Sequence, residues 1–256
     1  MTLEHLTYCD QIVRQSAELR SHLAGADLSA PVPTCPEWTL RQLARHVGGA
    51  HRWSTEIVRT KATEPFPPDQ VPGAAGPDSD DPAALDAWLA EGAENCAKVL
   101  REAGTDVPVW SWTGPTTSAF WARRMTHETL VHRADAAGAL GAAFTAPADV
   151  AADAIDEWLD VLSFARAFRS SSGKLGEPGQ SLHLHATDVP DAEWFIEIGD
   201  DGFTWRRAHE KATAVVRGPL TDVLRVLYRR LPTDSPAVEV LGERAVLDTW
   251  LAKTAF

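Results

Sequence analysis

Apolar residues recur every three or four positions from about Leu3 to Leu23, where Leu6, Ile12, Val13, Leu19 and Leu23 mark the buried side of a helix. Residues Ala30 to Trp38, interrupted by Pro31, Pro33 and Pro36, read as a connector. Thr39 then suits the N-cap of a second helix running to about Thr60. From Lys61 to Pro82 the periodicity stops and Pro, Gly and Asp dominate, which predicts a long loop. Such a loop inside a compact domain is either a lid or a crossover between distant helix ends. A third helix is expected over Pro82 to Ala103 and a fourth over Thr117 to Ala137, before Gly138. Four helices with one long connection describe a four-helix bundle with a crossover.

The pattern changes after about Pro147. One more helix, Ala148 to Arg169, precedes a Ser-Ser-Ser-Gly-Lys linker ending at Lys174. Alternating segments follow at Ser181 to Thr187, Glu193 to Ile198, Phe203 to Arg207 and Thr213 to Val216, with Gly199 to Gly202 as a hairpin turn. A helix from Pro219 to Leu231, a strand near Val238 to Leu241 and a closing helix from Glu243 complete the pattern. The expected class is α+β: a helical bundle over residues 1–146, then a small α+β domain over residues 147–256. No internal repeat is present.

Composition narrows the function. The chain of 256 residues carries 24 basic and 36 acidic side chains, a net charge of -12, with no basic stripe. That argues against a nucleic-acid or anionic-membrane surface. Cys9, Cys35 and Cys96 are too scattered for a disulfide framework or a Cys-x-x-Cys metal knuckle and fit a reducing compartment. The first residues have no basic and apolar signal pattern, and no run approaches the ~20 apolar residues of a membrane span, so a cytoplasmic protein is expected. Nucleophile-elbow, phosphate-loop and dinucleotide motifs are absent. The ten tryptophans read as core and interdomain packing, since a base-stacking platform needs a basic groove.

One stretch stands out. Glu128 and His132 are four apart, about 40° around a helix axis, on the stripe of Trp121, Met125 and Ala136. A carboxylate and an imidazole on an inward stripe need a compensating partner, which a divalent cation supplies. His127 and His132 are five apart, about 140° around the helix, so the His-Glu-x-x-His protease motif is excluded. On the second helix, His46 shares a stripe with Leu43, Ala50 and Trp53, whereas His51 lies on another line. Two histidines and one glutamate leave a fourth coordination position open, the catalytic pattern for zinc. On spacing alone the alternatives stand: an intrahelical ion pair for Glu128 and His132, and a core histidine for His46. Cys35 lies beside Trp38, where packing outweighs a nucleophilic role. His183 and His185 share one face of a strand, but the sequence shows no third ligand beside them, so a second metal site is not expected.

Two segments carry a resemblance. Val32 to Trp53, with Cys35-Pro-Glu-Trp38 and His46, resembles the first signature of the mycothiol-dependent maleylpyruvate isomerase family. Arg124 to Asp135, with Glu128 and His132, resembles its second. Val216 to Arg230, and the ending around Trp250, are similar to the family's tail, so nearly the whole chain is covered. Glu37 stands where many relatives have glycine.

The resemblance implies a DinB-like four-helix bundle that binds zinc through His46, Glu128 and His132, followed by a sterol-carrier-like domain. It also implies a catalytic arginine, matched by Arg230 beside Arg229. The implied thiol is mycothiol, whose thiolate would attack a small electrophile by isomerisation or S-transfer, with Arg230 holding a carboxylate. The alternatives are a non-catalytic metal- or ligand-binding protein and a metal-dependent hydrolase. Substrate and oligomeric state do not follow from the sequence.

Overall fold

The computed structural model describes residues 2–168 and 174–254, with side chains left out at 165–168. It forms two compact units, Thr2–Phe144 and the chain from Thr145 onward. The first contains four long helices, α1 (His5–Leu23), α2 (Leu40–Thr60), α3 (Pro82–Ala103) and α4 (Ser118–Ala139). Local chemistry sets their ends. Thr39 and Gln42 form a reciprocal capping box at the start of α2, and Lys61 ends it in the left-handed conformation, φ 52°. Asp81 caps α3 ahead of Pro82, and Gly104 stops it at φ 68°.

Around their common core the helices follow the cyclic order α1, α3, α2, α4. The long loop after α2 therefore joins neighbours and is not the crossover. The diagonal passages, α1 to α2 and α3 to α4, each carry a small antiparallel hairpin: β1 (Pro31–Val32) with β2 (Cys35–Thr39), and β3 (Pro108–Ser111) with β4 (Gly114–Thr117). The proline-rich connector is thus in part a ribbon. Proline, which lacks the N–H donor, is tolerated because every strand of a two-stranded ribbon is an edge. The long loop is laid back on the helices by long-range hydrogen bonds that spacing cannot show. Trp53 Nε1 donates to Phe66 O at 2.8 Å, Trp88 Nε1 to Gly73 O at 2.9 Å, and Arg45 Nη2 to Pro77 O at 2.9 Å.

The inward stripe inferred for α4 understates its position, because α4 is buried on almost every side from Trp121 to Ala137. Several of its polar side chains find partners inside the bundle. Thr126 Oγ1 donates to Tyr8 O or Ala122 O, Thr129 Oγ1 donates to Met125 O, and Arg133 pairs with Glu18. The His127 ring meets Tyr8 edge-on, on a different line from His132, as spacing requires.

The second unit holds α5 (Ala148–Phe168), the strands β5 (Ser181–Ala186), β6 (Glu193–Ile198), β7 (Phe203–Arg206), β8 (Ala214–Gly218) and β9 (Glu239–Gly242), and the helices α6 (Leu220–Leu227) and α7 (Arg244–Lys253). Arg169 and most of the serine-rich linker fall outside the described residues. The sheet order is β7-β6-β5-β8-β9, with only β5 and β8 parallel. Gly199 N bonds Gly202 O at 3.0 Å and closes the expected β6–β7 turn. One sheet face is apolar, with Leu182, Leu184, Trp194, Ile196 and Val216 buried, and it packs on helices through Trp194–Asp156 and Phe203–Trp250. α6 stops short of Leu231. Arg229 adopts φ 62°, the amides of Arg230 and Leu231 both turn back to Arg225 O, and Pro232 disfavours helix at the residue before it. Among the described residues no helix is long and apolar enough to cross a membrane.

Candidate metal centre

α2 and α4 pack against each other and bring His46 to the pair on α4. His46 Nε2 lies 2.8 Å and His132 Nε2 3.2 Å from Glu128 Oε1. The three ligand-type atoms lie within 4.8 Å of one another. In a tetrahedral zinc site with bonds near 2.0–2.1 Å, ligand atoms stand about 3.3 Å apart, so a small opening of this cluster admits an ion. Two imidazoles and one carboxylate suit zinc chemically. His51, by contrast, is buried and donates from Nε2 to Thr129 Oγ1 at 2.8 Å, an acceptor because that hydroxyl's own proton goes to Met125 O.

The surroundings orient the set. His132 Nδ1 donates to Asp135 Oδ2 at 2.9 Å, which turns Nε2 toward Glu128, where it can bind a metal once its own proton is lost. Asp135 Oδ1 also accepts from Thr34 Oγ1 at 2.5 Å, and Oδ2 accepts from Cys35 Sγ at 3.7 Å. Cys35 and Trp38 pack on the same core cluster, and the Trp38 ring lies 4.7 Å from His46 and 5.9 Å from His132. Arg124 Nη2 stands 3.5 Å from Glu128 Oε2. Asp135, Thr34, Trp38 and Arg124 were not anticipated as parts of the site. Asp135 was within reach, since it follows His132 by three on the same helix, the spacing of a carboxylate that holds a ligating imidazole.

Burial pushes the Glu128 carboxyl up, but His132, the His46 hydrogen bond and Arg124 outweigh it and hold the group well below the usual carboxylate range. For His132 burial pushes down, and Glu128 and Asp135 more than reverse it, to about 9. A proton and a metal ion compete for the same Nε2 lone pair. Removing the orienting carboxylate weakens that ligand: Asp135→Asn is expected to cost about 10–100-fold in zinc affinity, measured by chelator competition with the helical circular dichroism unchanged. An affinity within twofold of the parent would show that Asp135 does not hold the imidazole.

His46 and Glu128 open onto a cavity of about 570 Å³ that is also lined by Trp53, Trp112, Met125 and Val71. Pro68 to Ala75, from the long loop, form part of its wall. The same region sets an acid limit on the fold. Burial, helped by Arg52 and His46 and opposed by Glu128, pushes the His51 imidazole down to about 4. Between pH 6.5 and 4 the unfolded chain therefore binds a proton that the folded chain refuses. The stability His51 contributes is complete above about pH 6.5 and falls by about 3 kcal/mol as the pH drops to about 4. His51→Gln, which keeps a donor for Thr129, should flatten the fall in urea midpoint between pH 7 and 4.5. An equal acid loss in the variant would contradict this.

The family model described as the mycothiol maleylpyruvate isomerase N-terminal domain matches residues 9–137, and the MDMPI C-terminal domain matches residues 149–249. No curated protein matches the chain in sequence. Two crystal structures of the mycothiol-dependent maleylpyruvate isomerase, one a histidine-to-alanine mutant, are similar at TM-scores of 0.63 for the mutant and 0.61, each with 17% identity over 95% of this chain and 97% of theirs. At that identity the likeness establishes the fold, a helical domain followed by an α+β domain. On the family match across both halves, the chain belongs to the mycothiol maleylpyruvate isomerase family.

Proposed function

We propose that the protein is a zinc-dependent enzyme that turns the thiol of mycothiol on a small electrophile, by isomerisation or by thiol transfer. The observation that carries this reading is the convergence of His46, Glu128 and His132, the first two in the wall of a cavity, in a chain of this family. A divalent ion held there supplies the Lewis acidity that makes a thiol a thiolate at neutral pH. Glu128, ionised, contributes one of the two negative charges that neutralise such an ion, and an anionic sulfur contributes the other. Trp53, Trp112, Met125 and Val71 form an apolar wall that keeps water from the nucleophile. The cavity falls within the size range of small-molecule sites.

In isomerisation the thiolate sulfur adds to one carbon of a cis double bond as the π pair moves onto a conjugated carbonyl, the resulting single bond rotates, and the returning pair re-forms the double bond and expels the sulfur, so the thiolate is regenerated. In transfer the sulfur stays and a leaving group takes the pair. In this reading residues 1–146 hold the metal and residues 147–256 carry Arg230, which binds a substrate carboxylate through paired hydrogen bonds. Its Nη1 donates to Tyr228 O at 2.6 Å, a contact that fixes the guanidinium just past the end of α6. Three free cysteines and a thiol cosubstrate both suit the reducing cytoplasm.

Calorimetric titration of mycothiol into zinc-loaded and chelator-treated protein tests the reading. One equivalent binding to the loaded form only is expected. Absence of binding to the loaded form would turn the assignment to a hydrolase or a ligand-binding protein.

A further inference from the structure

The strand register of the second unit assembles another set of ligand-type side chains, on the sheet face opposite its apolar core. His183 and His185, two apart on β5, point to the same side. Glu193, the first residue of β6, lies directly across from His185 in the antiparallel pairing. His209 reaches the same place from the connection between β7 and β8. His183 Nε2, His185 Nδ1 and His209 Nδ1 stand 2.8, 2.9 and 2.6 Å from a single atom, Glu193 Oε2.

As hydrogen bonding alone this arrangement is overfilled. One carboxylate oxygen has two lone pairs, and here three ring nitrogens converge on it. Each imidazole would also have to turn a proton toward the same point. Four ligand-type atoms, all within 4.8 Å of one another, are instead the shape of a coordination shell. Tetrahedral zinc separates its ligand atoms by about 3.3 Å, so an outward shift of about half an ångström makes room for the ion.

We propose that His183, His185, His209 and Glu193 form a second divalent-metal site, a closed N3O set for zinc that fastens the 207–213 connection to the sheet. Three imidazole nitrogens favour zinc over calcium and magnesium, which take oxygen ligands. Four protein ligands leave no open position, which makes the site structural where the first set, with three, is open. The His209 side chain is 76% exposed, so the ion has a path of entry and the connection has something to gain from being tied down. The set shares no residue with the His46 cluster.

The test compares the full chain with its His185→Ala/His209→Ala variant, both stripped with chelator and dialysed against micromolar Zn2+. The variant is expected to bind one zinc fewer per chain, whatever the first cluster holds. In the parent, zinc should slow amide hydrogen exchange over residues 207–213, and in the variant it should not. His209→Ala alone, at a side chain that is 76% exposed, should weaken this binding step by about 10²–10³-fold. Equal zinc content in parent and variant, or an unchanged zinc titration in His209→Ala, overturns the proposal.

Discussion

Replacing His46 and His132 together by alanine should weaken zinc binding at the first cluster by about 10⁵-fold. The magnitude follows from a simple division. Four-ligand zinc sites bind with about 10–16 kcal/mol, so one ligand carries about 3–4 kcal/mol, or about 10²–10³ in Kd. The effect should be read by chelator competition in a chain that also carries His185→Ala and His209→Ala, so that the second cluster does not report. Mycothiol binding should disappear with the metal. Glu128 keeps Arg124 as a neighbour at 3.5 Å in this variant, so its charge is not left without compensation and the helix should remain folded. A loss below tenfold would mean that these two imidazoles do not ligate.

The largest stability effect is expected at Trp121. Its side chain is fully buried, meets Trp53 and Trp112 edge-on at 5.2 Å each, and donates from Nε1 to Trp110 O at 3.0 Å. Trp121→Ala removes the ring on which two cavity-lining tryptophans rest, at a cost of about 3–5 kcal/mol. Against a domain stability of about 5–15 kcal/mol that is a large fraction. With a urea dependence of about 2–3 kcal/mol per molar, the midpoint should fall by about 1–2 M. Trp121→Phe retains most of the packing and loses the Nε1 hydrogen bond, so it should cost less than half as much. A shift below about 0.3 M for the alanine variant would show that the aromatic cluster is not what holds this end of the helices together.

How legible these features were depends on how local their causes are. The helix boundaries could be read because their stop signals are adjacent in sequence: Thr39 with Gln42, Asp81 with Pro82, and Gly104 after α3. Strands β5 to β8 announced themselves by alternation, since every second residue is apolar and faces the core. The hairpins at Pro31 and Pro108 did not, because their proline-bearing strands gain nothing until they pair. The route of the long loop was equally hidden, since it depends on the indoles of Trp53 and Trp88 finding carbonyls 13 and 15 residues away.

The two clusters show the same division. Glu128 and His132 could be paired by helix geometry, and His46 by its stripe on a facing helix. Asp135 lies one helical turn from His132, but spacing alone does not show that its carboxylate holds the ring. At the second cluster, strand alternation joined His183 to His185 and then gave out. Glu193 enters by the pairing register of β6, and His209 by a loop that returns 16 residues later. Neither relation leaves a mark in the spacing. The polar character of α4 obscured its burial for a related reason, because its Thr, His, Arg and Asp side chains find partners on other elements.

The proposed function stands or falls with one divalent metal held by His46, Glu128 and His132. Diffraction from crystals grown with zinc, recorded on both sides of the zinc absorption edge, tests it most directly. An anomalous peak is expected about 2.0–2.2 Å from His46 Nε2, Glu128 Oε1 and His132 Nε2, with its fourth side facing the cavity. Zinc bound elsewhere on the chain, with no peak among these three atoms, would contradict it.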